Sequence, residues 1–191
     1  DGLATALRAA GRVPVLIPVG GSDAAGAYGH VVAAEELLAQ CAAIGEDPRC
    51  AVLATATGGT QAGMLAGLRR AGAKMRLDAF AVAKSSAELR PGVLAIANEL
   101  ARDLRIAPFA ESDINIDDTF LGAGYGVPTA AGQAAVLRLA RTEGIVADPV
   151  YTAKALAGLV ARVHRRAYAE DDAIVCIHSG GAPANFADLP A

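Results

Sequence analysis

The chain has 191 residues, the length of one domain or of two small ones. Its 17 basic and 20 acidic residues leave a formal net charge of -3, which gives no electrostatic basis for a nucleic-acid or anionic-membrane partner. Hydrophobic residues make up 53% of the chain and aromatics only 4%, so the chain can bury a core, and Ala, Val, Leu and Ile must build it. No apolar run approaches the ~20 residues of a membrane span, and no basic stretch precedes an apolar one as in a secretory signal. Cys41, Cys50 and Cys176 are widely spaced without a CxxC pair. They read as buried free thiols of a reducing, cytoplasmic setting, not as a zinc ribbon or a disulfide framework.

Residues 3–10 read as a short helix stopped by Gly11. Residues 13–19 are rich in β-branched side chains but hold two prolines, and read as a buried strand with irregular ends, closed by Gly20 and Gly21. Ser22 or Asp23 caps a helix running to about Ala43. Residues 50–56 form a compact apolar strand, followed by Thr57-Gly58-Gly59-Thr60 and a helix over 61–71. A strand is expected over 77–83, and Arg90-Pro91-Gly92 starts a helix through Arg102. Residues 114–120 read as a strand that enters the glycine-rich segment 122–128. Thr129 caps a helix to about Glu143, ended by Gly144. Residues 148–152 lead into a helix to about Arg166, and 173–178 form a last strand before Ser179-Gly180-Gly181.

This alternation predicts a single α/β unit with a mostly parallel sheet covered by helices on both faces. Ligands of such sheets bind beyond the C-terminal ends of the strands. Gly-rich turns after Val19, Ala56, Phe120 and His178 occupy those positions.

The sharpest local signal is the passage from the 50–56 strand through Thr57-Gly58-Gly59-Thr60 into a helix. Exposed amides at a helix start, with threonine hydroxyls and glycines that admit close approach, make an anion cradle. No lysine follows as in a Walker A loop, and the GxGxxG spacing is missing. A phosphorylated cofactor fits better than a nucleotide triphosphate; a tight turn without ligand is the alternative. Asp113-Ile114-Asn115-Ile116-Asp117 opens like an EF-hand loop but lacks its glycine and glutamate, so it reads as a half-exposed strand and no metal is expected. Tyr125, among glycines, and Tyr151, before a helix, are candidates to face a ligand, with ordinary packing as the alternative. Tyr168 is expected to be exposed, His178 to be a structural hydrogen-bonding residue, and His30 and His164 to form no metal pair.

Five segments occur together in one family: Gly20-Gly21-Ser22, residues 57–63, Gly124-Tyr125-Gly126-Val127-Pro128, residues 148–154 and residues 178–184. In this order they resemble the pyridoxal-phosphate enzymes grouped as D-cysteine desulfhydrase and 1-aminocyclopropane-1-carboxylate deaminase, which share the tryptophan synthase β-subunit fold. The resemblance covers nearly the whole chain. It implies pyridoxal 5'-phosphate as cofactor, with Thr57, Gly58, Gly59 and Thr60 on its phosphate. Tyr125 and Tyr151 would be the two active-site tyrosines, Thr152 would lie near the pyridine nitrogen, and Ser179 near the ring on the other side.

Thr152 and Ser179 resemble the Thr and Thr of the desulfhydrases more than the Glu and Leu of the deaminases. The implied reaction is a β-elimination on a small amino acid, D-cysteine to hydrogen sulfide, pyruvate and ammonia. The wording of the 57–64 loop is closer to the deaminases, and L-cysteate sulfo-lyases are also similar. The family's Schiff-base lysine lies upstream, and Lys74, Lys84 and Lys154 do not match its motif. The expectation is therefore that residues 1–191 are the C-terminal part of the catalytic domain, without the N-terminal part that holds that lysine and the small domain. Such a chain would be inactive alone, would leave apolar surface exposed, and would belong to a homodimer at full length. A non-catalytic phosphate-binding module or an inactive fragment is the reading from another class.

Overall fold

Cys50–Thr55 (β1) is buried along its whole length because it is flanked by strands on both sides and covered on both faces. The computed structural model describes residues 2–187. Arg76–Ala81 (β2) and Ile174–Ile177 (β4) pair with β1 in parallel, and Ile116–Asp117 (β3) pairs with β2, giving the order β3-β2-β1-β4. The helices are Gly2–Ala9 (α1), Ala24–Ala43 (α2), Gly59–Arg70 (α3), Ser86–Leu104 (α4), Ala130–Glu143 (α5) and Thr152–His164 (α6). The sheet is thus parallel and helix-covered, as the alternation predicts.

Side chains alternate across the pleat. Ala51, Leu53, Leu77, Ala79 and Ala81 enter a cluster with α2, α3 and α4. Cys50, Val52, Ala54, Phe80 and Val82 face the other way, against Ala155 of α6. A smaller cluster joins α5 to α6 through Ala135, Leu156 and Ala157. The small-residue composition has a direct use between α2 and α3. A Cβ at Gly63 would strike the Ala27 carbonyl, and one at Gly67 would crowd the Val31 carbonyl and Ala34. Close approach of the two backbones replaces the area that large side chains would have buried.

Near the N-terminal end of the sheet the fully buried Asp78 anchors a charge cluster. Its carboxylate accepts from Arg76 at 3.1 and 3.0 Å, Arg162 at 2.6 Å, Asn115 at 2.5 Å, Tyr168 at 3.2 Å and Cys50 at 3.1 Å. Burial pushes this carboxyl up, but hydrogen bonds from Arg76 and Cys50 and the charge of Arg162 hold it below the usual range. The Cys50 thiol is pushed up to about 12, by burial first and then by the hydrogen bond and charge of Asp78.

Several sequence expectations are corrected. Residues 13–18 have no regular secondary structure and Val19 opens a 3-10 turn through Gly21, so no strand forms, and Val13, Val15, Ile17 and Val19 are each more than four-fifths exposed. Pro14 and Pro18 remove two ladder donors, and no described strand lies alongside. The strand expected over 114–120 shrinks to Ile116–Asp117, because Asp117 turns back on the Thr119 amide at 3.0 Å and Asp118 takes the Ser86 amide at 2.7 Å. Helix α4 begins before Arg90, at Ser86, because Ser85 and Glu88 form a capping box, with Pro91 accommodated inside the helix. Cys176 is exposed, since β4 is an edge strand; Cys41 and Cys50 are buried. Tyr168 is half-buried on Asp78 instead of exposed. No helix among the described residues is long and apolar enough to cross a membrane.

Candidate functional site

The first amides of a helix need acceptors. In α2 the Asp23 carboxylate accepts from the Gly26 amide at 2.8 Å, and in α4 Ser85 accepts from Glu88 at 3.4 Å. In α5 Thr129 accepts from Gly132 at 3.0 Å, and in α6 Asp148 accepts from Thr152 at 2.7 Å. Helix α3 differs: its N-cap is Gly58, and no described side chain accepts from its first turn. Gly58 has φ 91 and ψ -13, a left-handed conformation that favours glycine, and a Cβ there would also lie 2.6 Å from Val93. A Cβ at Gly59 would lie 2.9 Å from the Ser22 hydroxyl.

Hydroxyl groups surround these free amides. Ser22 Oγ donates to Thr57 Oγ1 at 2.6 Å, which ties the Gly20-Gly21-Ser22 turn to the end of β1. Thr60 Oγ1 lies 3.1 Å from His30 Nε2 on α2. Burial lowers the His30 pKa, so the ring is neutral at neutral pH in this setting. Amides, hydroxyls and the positive end of the helix dipole make a concave site suited to an anion.

The opposite wall starts at Asp148, which is buried and accepts the amides of Val150 at 2.9 Å, of Tyr151, and of Thr152. This cap sets the direction of α6 and the position of the tyrosine before it. The Tyr151 hydroxyl reaches the Ala54 carbonyl at 3.4 Å. Its pKa is raised, by burial first and by the charges of Tyr125 and Asp148, against a hydrogen bond with Ser179. Thr152 Oγ1 donates to the Gly180 carbonyl at 3.0 Å. Lys154, fully buried, donates to the Gly124 carbonyl at 2.6 Å and to the Val82 carbonyl at 3.4 Å.

Between the walls lies an open cleft of about 470 Å³, whose lining includes His30, Thr60, Tyr125, Tyr151, Ser179 and Gly180. The structure therefore brings together Thr60, Tyr125, Tyr151 and Ser179, which are 119 positions apart in sequence at their extremes (60 to 179). Thr57, Gly58 and Gly59 form the turn leading into Thr60. Thr152 does not open into the cleft; it is 2% exposed, and its hydroxyl is committed to Gly180. Sequence reasoning left out Ser22 as a partner of Thr57, and His30, Asp148 and Lys154 altogether as site residues. Only Asp148 carried a signal, an Asp-Pro pair just before a helix. Among the described residues no group of three or more His, Cys, Asp and Glu side chains could hold a metal ion.

Residues 1–180 match the family model described as pyridoxal-phosphate dependent enzyme. The chain belongs to that family. It is 42% identical over 188 residues to D-cysteine desulfhydrase of Salmonella typhi, covering 98% of this chain and 56% of that relative. The fold is similar to the crystal structure of an ACC deaminase homologue, with a TM-score of 0.83 and 29% identity over 94% of this chain and 53% of the other. The crystal structure of a T.th. threonine deaminase matches at a TM-score of 0.55 and 17% identity over 87% of this chain and 60% of that one, a likeness of fold alone. The chain thus spans about half the length of the curated relatives it matches. The family's cofactor carries a phosphate, and the residues present suit one: free α3 amides, the Thr57 and Thr60 hydroxyls, and a space that a Cβ at Gly59 would reduce.

Proposed function

We propose that this chain supplies the cofactor-phosphate cradle and two substrate-facing tyrosines of a carbon–sulfur lyase that performs β-elimination on D-cysteine. With one water consumed, the products are hydrogen sulfide, pyruvate and ammonia. The observation that carries the reading is the uncapped N-terminus of α3, beside the cleft that Thr60, Tyr125, Tyr151 and Ser179 line. The 42% identity to a D-cysteine desulfhydrase supports the choice of reaction.

Pyridoxal phosphate, when bound, supplies a conjugated ring that takes up the electron pair left as the substrate's α-proton departs. The chain's own residues bind and orient. The amides of 58–60 and the hydroxyls of Thr57 and Thr60 hold the phosphate. Ser179 lines the cleft with a neutral hydroxyl, and Thr152 behind it, with its hydroxyl on the Gly180 carbonyl, brings no carboxylate that would strengthen the electron sink; a weaker sink suits an easy β-elimination better than ring opening. The raised pKa of Tyr151 keeps its hydroxyl protonated at neutral pH, so it donates a hydrogen bond or passes on a proton and does not act as a standing base. Tyr125, 65% exposed on its glycine loop, is placed to orient a substrate.

In this reading the covalent lysine and the small domain lie in a part of the protein that precedes residue 1, and this chain by itself is inactive. Two observations support it. The chain spans 56% of its relative, and the apolar residues 13–19 stand exposed as if a partner segment were meant to cover them. A cytoplasmic homodimer at full length belongs to the same reading. The test is sulfide release from D-cysteine by the full-length protein, beside parallel assays with 1-aminocyclopropane-1-carboxylate and L-cysteate. Tyr151→Phe should lower turnover by about 10²-fold, the low end for a general acid–base group, with cofactor absorbance retained. Unchanged turnover, or preference for either other substrate, would overturn the assignment.

A further inference from the structure

We infer that Lys154 is a positioning residue, tethering the glycine loop that carries Tyr125 to the buried face of α6. The proposal rests on the reading of Tyr125 as a substrate-facing residue. Lys154 is fully buried within a run, Thr152 to Gly158, that is buried throughout. Its ammonium has no carboxylate partner among the described residues; its partners are the Gly124 carbonyl at 2.6 Å and the Val82 carbonyl at 3.4 Å. A buried cation without a counter-charge is costly, and an apolar side chain of the same length would fill the space more cheaply. Burial accordingly lowers its pKa. A lysine in this place is explained by what it holds.

What it holds has little else to hold it. Gly122, Gly124 and Gly126 take φ values of 67, 137 and 78, and Tyr125 between them is 65% exposed. Among the described residues, no other close hydrogen bond reaches residues 122–128. Val82 follows β2 directly, so the same ammonium joins the sheet, α6 and the loop. Thr152, two residues earlier, makes the equivalent tie from α6 to the second glycine turn at Gly180. One helix start therefore sets the spacing of both loops that flank the cleft.

The test is fluorine NMR of the full-length protein labelled with 3-fluorotyrosine, with pyridoxal phosphate bound, comparing the native chain with Lys154→Met; Tyr125→Phe and Tyr168→Phe assign the two signals that are read. Loss of the charge-assisted hydrogen bond to Gly124 should sharpen the Tyr125 signal and move it toward the shift of the unfolded protein. The signal of Tyr168, on Asp78 at the other end of the sheet, should not change, and the thermal midpoint should stay level or rise, because a desolvated charge has gone. Lys154→Gln, which keeps a donor at shorter reach, should fall between the two. An unchanged Tyr125 signal overturns the proposal. So does an equal shift of the Tyr125 and Tyr168 signals, or failure of both variants to fold, since either makes Lys154 a general support of the core. If the loop loosens as expected while Tyr125→Phe leaves D-cysteine turnover unchanged, the tether stands and the substrate role of Tyr125 falls.

Discussion

At the N-terminal end of the sheet one carboxylate, Asp78, is enclosed by two arginines, an asparagine, a tyrosine and a thiol. At the C-terminal end no described side chain accepts from the first amides of α3. The first arrangement is closed on itself: the buried carboxylate is met on both oxygens by donors from within the chain. The second holds its donors unanswered beside an open cleft. The contrast teaches how a binding end can be told from a structural end. Density of charge does not mark the site; unsatisfied, converging polar groups do.

Breaking the closed end should have the largest effect. Asp78→Ala leaves Arg76 and Arg162 without their shared carboxylate and should cost about 3–5 kcal/mol, read by urea unfolding. Affinity of the folded fraction for pyridoxal phosphate should be unchanged, because the cluster lies away from the cleft. A loss of affinity equal to the loss of stability would erase the distinction between the two ends.

A pH series sharpens the same point. The Asp78 carboxyl is held below its ordinary value of 3.8, so its contribution is complete above that pH and is lost as pH falls through the lower folded value. The stability difference between the native chain and Asp78→Asn should therefore be constant from neutral pH down to about pH 5 and shrink below about pH 4. A difference that grew on acidification would reverse the sign and exclude an ionised Asp78.

Smaller effects are expected at the open end, and in binding instead of stability. Gly59→Ala should weaken pyridoxal phosphate binding by about tenfold, equivalent to about 1.4 kcal/mol, because the added methyl meets Ser22 at the cradle. Stability should move by less than about 1 kcal/mol, since alanine favours the helix while crowding the hydroxyl. The smallest change is Thr57→Val, which removes the acceptor of the Ser22 bond and one hydroxyl of the cradle. It should cost about 0.5–1.5 kcal/mol of binding in a fluorescence titration with the cofactor. A larger effect at Thr57 than at Gly59 would place the phosphate nearer the hydroxyls than the helix amides.

Much of the fold was legible because its signals are local. The β1 run, the Thr129 cap with its Gly144 stop, and the strand-turn-helix passage at 55–61 each lie within a few consecutive residues. The failures have the opposite character. Residues 13–19 have strand composition, yet a strand exists only when another lies beside it. The end of β3 depends on Asp118 finding the Ser86 amide, a contact across 32 positions. His30 stood on a helix without any local feature, and only the packing of α2 on α3 sets it against Thr60.

The amino-acid order alone carried the parallel α/β architecture and the strand-turn-helix passage into α3, because hydrophobic period, helix caps and glycine turns act over a few residues. Tertiary structure decided the rest. It left the first turn of α3 without a side-chain acceptor among the described residues, gave Asp78 its arginines, turned the Thr152 hydroxyl to Gly180, and buried Lys154 under the Tyr125 loop. Each of those depends on which distant group arrives at hydrogen-bonding distance, and that is set by how the elements pack, not by any spacing along the chain.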